Sequence, residues 1–426
     1  MKALVFHKPK DIRFETVPDP RIEHASDVIL QVTASTICGS DLHIFNGYTP
    51  QKHPLVLGHE FMGVVVEVGP RVRTLKKGDR VVVPFPISCG DCWFCLRGLP
   101  GHCEKSNPRH YGPDGTKNRG GGLFGYTDDY GPYDGGQAQY VRVPFADVGP
   151  RLVPEGMTDE QALFLSDIIP TGWLAAEWCG LKGGETVAVF GCGPVGLMAM
   201  KSARLQGAER VIAVDPLAYR RELARRVAGA EAIDPAAIDP VEAIRARTAG
   251  RGADACIDAV GMEADHGFLE SVSNVIHRQT GTIKVLKTAI GAVRRGGAVS
   301  CIGVYGSPAA DFPLNEIFEK GLSLRGGQAP VQGRIRMLMD LVARGELTAA
   351  DLVSHRLPLA DGPHAYRIFN DKQENCMKVL LRPWKEEIPS AVRLERREEE
   401  TPEVSGIAAV MYGERAILDE DIGPAA

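Results

Sequence analysis

No stretch of this chain approaches the roughly 20 consecutive apolar residues that a membrane-spanning helix needs. The apolar run of a secretory signal is missing too: the opening residues, MKALVFHKPKDIRF, alternate in polarity as a strand does. Basic residues are not in excess. Lysine and arginine number 49 against 54 aspartates and glutamates, and the formal net charge of −5 offers no hold on nucleic acid or an anionic membrane. Cysteine is sparse at ten in 426 residues, and Cys38, Cys179, Cys192, Cys256, Cys301 and Cys376 are scattered without disulfide-like pairing. A reducing, cytoplasmic setting is expected. No internal repeat is visible. What remains is ordinary globular composition, 44% hydrophobic and 24% charged, in a chain long enough for two domains.

The other four cysteines are clustered. Cys89, Cys92, Cys95 and Cys103 stand at C-x2-C-x2-C-x7-C, and four thiolates from one compact lobe complete the tetrahedral shell of Zn²⁺. A closed shell has no position for substrate, so this zinc holds shape. Its presence raises the question of a second, open zinc site.

Up to about residue 150 the chain reads as short strands and turns. Val28 to Thr33, Gly63 to Val68 and Arg80 to Val83 are β-rich, with Gly69-Pro70 and Lys77-Gly78-Asp79 between them. Asn107 to Gly136 is a long glycine-rich loop before the strand Gln139 to Val143, and loops of that length are commonly functional. From Gly172 strands and helices alternate: Thr186 to Phe190, a helix from Val195, then strands at Val211 to Val214, Ala255 to Ala259 and Ala298 to Ile302. That alternation predicts a doubly wound parallel sheet. An insertion is expected between Gly261 and Arg295, and a last strand at Met377 to Leu381. The charge run Arg393 to Glu400 reads as part of a solvated, poorly ordered tail.

Gly191-Cys192-Gly193-Pro194-Val195-Gly196 is a G-x-G-x-x-G between a strand and a helix. The glycines allow a tight turn and close approach of backbone to a pyrophosphate on the helix N-terminus. Asp215 ends the next strand, where a carboxylate accepts from the adenosine ribose hydroxyls and repels a 2′-phosphate, favouring NAD over NADP. Arg220 is read as packing on, or bonding to, the ribose side. The bland alternative is a glycine-rich turn with no ligand.

Cys38-Gly39-Ser40-Asp41-Leu42-His43 and Gly58-His59-Glu60 carry a thiol and imidazoles between early strands, both good zinc donors. Singly, a cysteine is more often a buried hydrophobe and a histidine a satisfied side chain. Together they change the reading. Residues 58 to 72, GHEFMGVVVEVGPRV, resemble the signature of the zinc-containing alcohol dehydrogenases of the medium-chain dehydrogenase group. The resemblance runs from residue 1 to about 383 and takes in the four-cysteine lobe and the nucleotide fingerprint, in order.

That resemblance implies a GroES-like, mostly β catalytic domain over residues 1–168, with its structural-zinc lobe at 89–103. It implies a Rossmann doubly wound cofactor domain over 169–329, a return to the catalytic domain over 330–384, and a tail over 385–426. It implies two zinc ions and NAD, with a catalytic zinc on Cys38, His59 and a third ligand that is cysteine in many members. Here the matching segment, Leu165 to Gly172, offers Asp167. A helix N-cap is the alternative role for that aspartate. Carboxylate for thiolate keeps the donor charge and hardens the set. With the glycine-rich loop ending Gly135-Gly136-Gln137-Ala138-Gln139-Tyr140-Val141, it looks most like the glutathione-independent formaldehyde dehydrogenases and formaldehyde dismutase.

By the same resemblance Ser40 takes the substrate proton and His43 passes it to solvent, with Gly39, Ser40, His43 and Val260 also on the cofactor. Without it, Ser40 reads as a turn-capping hydroxyl and His43 as a surface residue. Glu60 is expected behind the metal. The function implied is oxidation of small alcohols or hydrated aldehydes, formaldehyde leading, by an enzyme that forms dimers or tetramers. Secondary-alcohol, polyol or threonine-type dehydrogenases use the same scaffold, and a non-catalytic nucleotide-binding redox sensor is the remote alternative.

Overall fold

Short amphipathic strands build the first unit. β1 (Lys2–Lys8) and β2 (Asp11–Thr16) pair antiparallel, and β1 also pairs with the two-residue β4 (Leu55–Val56), giving the order β2-β1-β4. β3 (Val28–Ile37) is longer than its sequence suggested by four residues, because Ala34, Ser35, Thr36 and Ile37 are buried on both sides. It pairs with β5 (Phe61–Val68) and β7 (Tyr140–Val143), and β5 continues to β6 (Arg80–Val83) and β8 (Arg151–Leu152).

The second unit is wholly parallel. β9 (Thr186–Phe190), β10 (Arg210–Val214), β11 (Glu231–Ile233), β12 (Ala253–Asp258), β13 (Val293–Cys301) and β14 (Ser323–Gly326) lie in the order β11-β10-β9-β12-β13-β14. β9 is buried along Val187 to Phe190, as expected for a strand covered on both faces. The strand order reverses between β9 and β12, which opens a crevice at their carboxyl ends.

The chain then re-enters its beginning. β15 (His355–Pro358) pairs parallel with β16 (Val379–Arg382), and β16 pairs antiparallel with β3, through Leu380 opposite Thr36. One buried cluster links the two sheets, from Leu4 and Met62 through Phe164 and Ile168 to Val189 and Met198.

This computed structural model describes residues 1–49, 51–107, 120–261, 283–305 and 311–384. The expected insertion after Gly261, the middle of the glycine-rich loop and the C-terminal tail therefore lie outside the described residues, or largely so. Among those described, no helix is long and apolar enough to cross a membrane.

Candidate active site

Three separate segments converge behind β3 and β5. Cys38 leads into helix α1 (Gly39–Phe45), His59 lies two residues before β5, and Asp167 sits at the junction of a 3-10 turn, Leu163–Ser166, with a helix, Ile168–Glu177. Donor atoms of Cys38, His59, Glu60 and Asp167, all buried, lie within 4.8 Å of one another. Asp167 Oδ2 is 3.2 Å from His59 Nε2 and 3.5 Å from Cys38 Sγ. Asp167 occupies the N-cap position, yet its side chain bonds no backbone N–H of the helix. Its other oxygen accepts from Thr171 Oγ1 at 2.6 Å, so the carboxylate is aimed at the cysteine and histidine.

The donors are oriented from behind. His59 Nδ1 lies 3.2 Å from Asp41 Oδ1, within ion-pair reach although neither atom has a hydrogen-bond partner of good geometry, so Asp41 faces the ring nitrogen turned away from the other donors. Glu60 Oε2 accepts from Thr36 Oγ1 at 2.7 Å and is ion-paired with Lys378, while Glu60 Oε1 is buried without a hydrogen-bond partner.

The electrostatics fit a cation. Burial, then Glu60 and Asp167, push the Cys38 thiol above its ordinary range. Burial raises the Asp167 carboxyl, but hydrogen bonding and charge from His59, with Thr171, outweigh it and hold it at about 2. Burial works against the Lys378 ammonium, and Glu60 outweighs that, lifting it above the usual lysine value. One buried ammonium faces three acidic groups here; a divalent cation among a thiolate, an imidazole and carboxylates is the compensation such a donor set accommodates. Zn²⁺ therefore fits these residues.

Ser40 Oγ stands 3.2 Å from His59 Nε2, beside the donors and partly exposed. His43, one turn further along α1, is only 4% exposed, so its imidazole does not meet solvent directly, neither as the exposed residue of the bland reading nor as the open proton exit. Phe85 packs edge-on against His59 with ring centroids 6.1 Å apart. Tyr126, from the glycine-rich loop, is buried nearby; burial pushes its phenol up, against a hydrogen bond with Thr49.

The second cluster is closed. Cys89 and Cys95 sulfurs are 4.0 Å apart and those of Cys92 and Cys103 3.9 Å apart. A regular ZnS4 tetrahedron with bonds of about 2.3 Å has edges near 3.8 Å, so these four residues fit a structural zinc.

At the crevice, β9 feeds the glycine turn and then the helix Pro194–Leu205. A Cβ on Gly196 would fall 1.9 Å from Gly191 O, so helix and turn touch backbone to backbone. A Cβ on Gly193 would meet nothing nearer than Arg220 Nη1 at 3.9 Å, which leaves the space at the helix N-terminus that a pyrophosphate needs. Val260 backs the turn, its methyl 2.6 Å from where a Gly191 side chain would begin. Asp215 is buried, accepting from Cys192 N and Leu217 N at 2.8 Å each, with Arg220 Nη1 4.0 Å away. Each oxygen keeps a lone pair for a further donor.

Sequence reasoning missed Asp41, Lys378 and Gln137 as neighbours of the site. A lysine in the apolar run Cys376-Met377-Lys378-Val379-Leu380-Leu381 was the available signal, since a buried lysine needs a partner. Asp41 had one as well, standing three residues after Cys38 where its carboxylate accepts from Cys38 N at 2.9 Å. Nothing local marked Gln137.

Comparison with known proteins agrees with this geometry. Residues 24–154 match the alcohol dehydrogenase GroES-like domain and residues 194–279 the zinc-binding dehydrogenase domain. A zinc-type alcohol dehydrogenase-like protein of Bacillus subtilis is 41% identical over 386 residues, 90% of this chain and 100% of that one. The glutathione-independent formaldehyde dehydrogenase of Pseudomonas aeruginosa is 35% identical over 396 residues, 87% of this chain and 94% of its own. Among solved structures, an alcohol dehydrogenase from Thermus sp. superposes with a TM-score of 0.77 at 36% identity, covering 90% of this chain and 99% of that chain. The 2R,3R-butanediol dehydrogenase of Bacillus subtilis gives 0.69 at 28% identity, covering 90% and 99%. With a GroES-like unit, a parallel nucleotide-binding sheet and full-length relatives of this kind, the chain belongs to the zinc-containing alcohol dehydrogenase family of oxidoreductases.

Proposed function

We propose that this enzyme oxidises small alcohols or hydrated aldehydes, formaldehyde foremost, with NAD as hydride acceptor. The observation that carries the reading is the Asp167 carboxylate facing Cys38 and His59, 3.2 Å from the imidazole. The 35% identity with a glutathione-independent formaldehyde dehydrogenase supports it. Cys38, His59 and Asp167 would hold the catalytic zinc, with Glu60 behind it, and Cys89, Cys92, Cys95 and Cys103 a structural one. When bound, the zinc supplies Lewis acidity that brings an alcohol's pKa toward neutrality, and NAD supplies the hydride acceptor.

The chain's own residues do the rest. Gly39 and Ser40, on the first turn of α1, would contact the nicotinamide half of the cofactor. Ser40 would accept the substrate proton and pass it toward His43, whose buried ring would need a further group between it and solvent. Gly191, Gly193, Pro194, Val195 and Gly196 cradle the pyrophosphate on the helix N-terminus, with Val260 behind. Asp215 accepts from the ribose hydroxyls and repels a 2′-phosphate, so NAD is preferred to NADP; Arg220 packs beside it.

The test is turnover of formaldehyde with and without added NAD⁺, NADP⁺ and glutathione. Turnover that needs NAD⁺ but not glutathione supports a dehydrogenase. Turnover without added cofactor supports a dismutase with tightly held NADH, and absence of both sinks formaldehyde. A secondary-alcohol or diol substrate is the second reading, favoured by the likeness to a butanediol dehydrogenase. Kinetics with 2-propanol, butanediol and sorbitol separate it.

We also infer self-association. Among the described residues β14 ends its sheet with all four residues exposed, and the helix before it, Leu314–Lys320, carries Leu314 and Phe318 at 67% and 82% exposure. An open strand edge flanked by large apolar side chains is where a second copy would pair.

A further inference from the structure

We propose that Gln137, held by Tyr366, is a positioning residue for the zinc ligand His59 and governs how firmly the catalytic zinc is retained. The inference rests on the catalytic-zinc reading above.

Three hydrogen-bonded polar side chains form a path that ends facing His59. The Tyr366 hydroxyl donates to Gln137 Oε1 at 2.8 Å. Gln137 Nε2 donates to Thr36 O at 3.0 Å and to Asp41 Oδ2 at 3.2 Å. Asp41 Oδ1 in turn contacts His59 Nδ1 at 3.2 Å. Gln137 and Asp41 have no exposed surface, and neither has Tyr366. Water therefore cannot take the place of a missing partner without a cavity to hold it.

The path fixes orientation as well as contact. Tyr366 is a donor here, so the amide oxygen of Gln137 must face it and the amide nitrogen must face Asp41. Asp41 Oδ2 then has two donors, Gln137 Nε2 and Cys38 N, and its carboxylate plane is set. A fixed carboxylate 3.2 Å from His59 Nδ1 favours one orientation of the ring, and partners of this kind tune metal affinity through the ligand's orientation and basicity.

The backbone repeats the coupling. Gly136 N donates to Gly58 O at 2.7 Å and Gln137 N to Leu57 O at 3.0 Å, so the end of the glycine-rich loop is strapped to the residues just before His59. Gly58 has φ +102, and a Cβ there would sit 2.4 Å from Gln137 Cγ. The residue preceding the ligand lacks a side chain because Gln137 occupies that space.

The experiment uses the full chain, zinc-loaded, and follows release of each zinc to a chromogenic chelator, with the wild type first shown to hold two. In Gln137→Leu the catalytic zinc is expected to leave about 10- to 100-fold faster, the range seen for such outer partners. The four-cysteine zinc is expected to leave at the wild-type rate. Tyr366→Phe removes one hydroxyl and is expected to act in the same direction but less. Cobalt(II) placed in the open site reports the ligand field directly, and its visible bands are expected to shift in Gln137→Leu. Unchanged release and an unchanged cobalt spectrum would overturn the inference, as would equal loosening of both zincs. If Gln137→Leu does not fold, Tyr366→Phe decides alone, and wild-type release there overturns it. A wild type holding a single zinc would instead bring down the catalytic-zinc reading, a separate outcome.

Discussion

Lys378 and Glu60 form an ion pair in which neither side chain has any exposed surface. The pair joins the residue just before β16 to the residue after His59, the proposed zinc ligand, 318 positions away in sequence. Lys378 also donates to Ile37 O at 3.1 Å, so it braces the end of β3 just before Cys38. Removing one partner from such a pair leaves a buried charge uncompensated. Lys378→Met is expected to lower stability by about 3–5 kcal/mol in denaturant unfolding, the range for breaking a buried pair. The double variant Lys378→Met with Glu60→Gln is expected to lose less than the sum, because the stranded carboxylate is gone. A single variant within about 1 kcal/mol of wild type, the worth of an exposed pair, would show that the interaction contributes little.

Asp167 is the donor that distinguishes the proposed catalytic zinc site, and two substitutions separate its roles. Asp167→Ala is expected to bind one zinc per chain instead of two and to lose turnover while its melting temperature stays near wild type. Asp167→Cys is expected to keep two, since thiolate and carboxylate carry the same charge. Elemental analysis of dialysed protein gives the count. Two retained zincs in the alanine variant would mean that a different residue completes the site.

How far the sequence could be read depended on whether a signal was local. Four strands of the parallel sheet were legible as short runs beside glycine or charged turns, and Thr186–Phe190 there and Arg80–Val83 in the first unit have the limits expected of them, whereas Glu231–Ile233 and Ser323–Gly326 were not foreseen. The extra length of β3 was not, since Ser35 and Thr36 look like turn residues until Glu60 O and Oε2 are seen to accept from their hydroxyls. Cys38, His59 and Asp167 could be found by motif. Their supports were harder to find, because Lys378, Gln137 and Tyr366 make these contacts across 341, 101 and 229 residues of chain, and only Lys378, a lysine in an apolar run, carried a signal. His43 shows the converse limit: its place in the motif was plain, but its burial follows only from how α1 packs.

The open edge of β14 gives a prediction about assembly. The wild type is expected to sediment as an oligomer, and Phe318→Glu to shift it toward the monomer by placing a charge where an apolar side chain now stands 82% exposed. Sedimentation velocity at several concentrations reads this out. A wild-type monomer would remove the proposal, and an oligomer untouched by the substitution would move the interface to another face.

Gly193 and Gly196 sit three residues apart and answer to different demands. At Gly196 an added methyl would lie 1.9 Å from the Gly191 carbonyl oxygen, a clash that only a shift of helix against turn relieves. Gly196→Ala is therefore expected to destabilise the apo-protein, by on the order of 1–3 kcal/mol as overpacking does, and to weaken NADH binding as a consequence. At Gly193, φ is −72 and the methyl would meet only space, 3.9 Å from Arg220 Nη1. Alanine there costs the fold nothing and, by restricting the unfolded chain, is expected to raise stability by a few tenths of a kcal/mol up to about 1. What it does occupy is the space that the proposed cofactor reading assigns to pyrophosphate. Gly193→Ala is thus expected to match or exceed the wild-type melting temperature without cofactor, yet to bind NADH at least tenfold more weakly by fluorescence titration. Equal NADH affinity in Gly193→Ala would place the cofactor's phosphates elsewhere. Loss of stability in that variant, in turn, would mean that the turn is tighter than its geometry indicates.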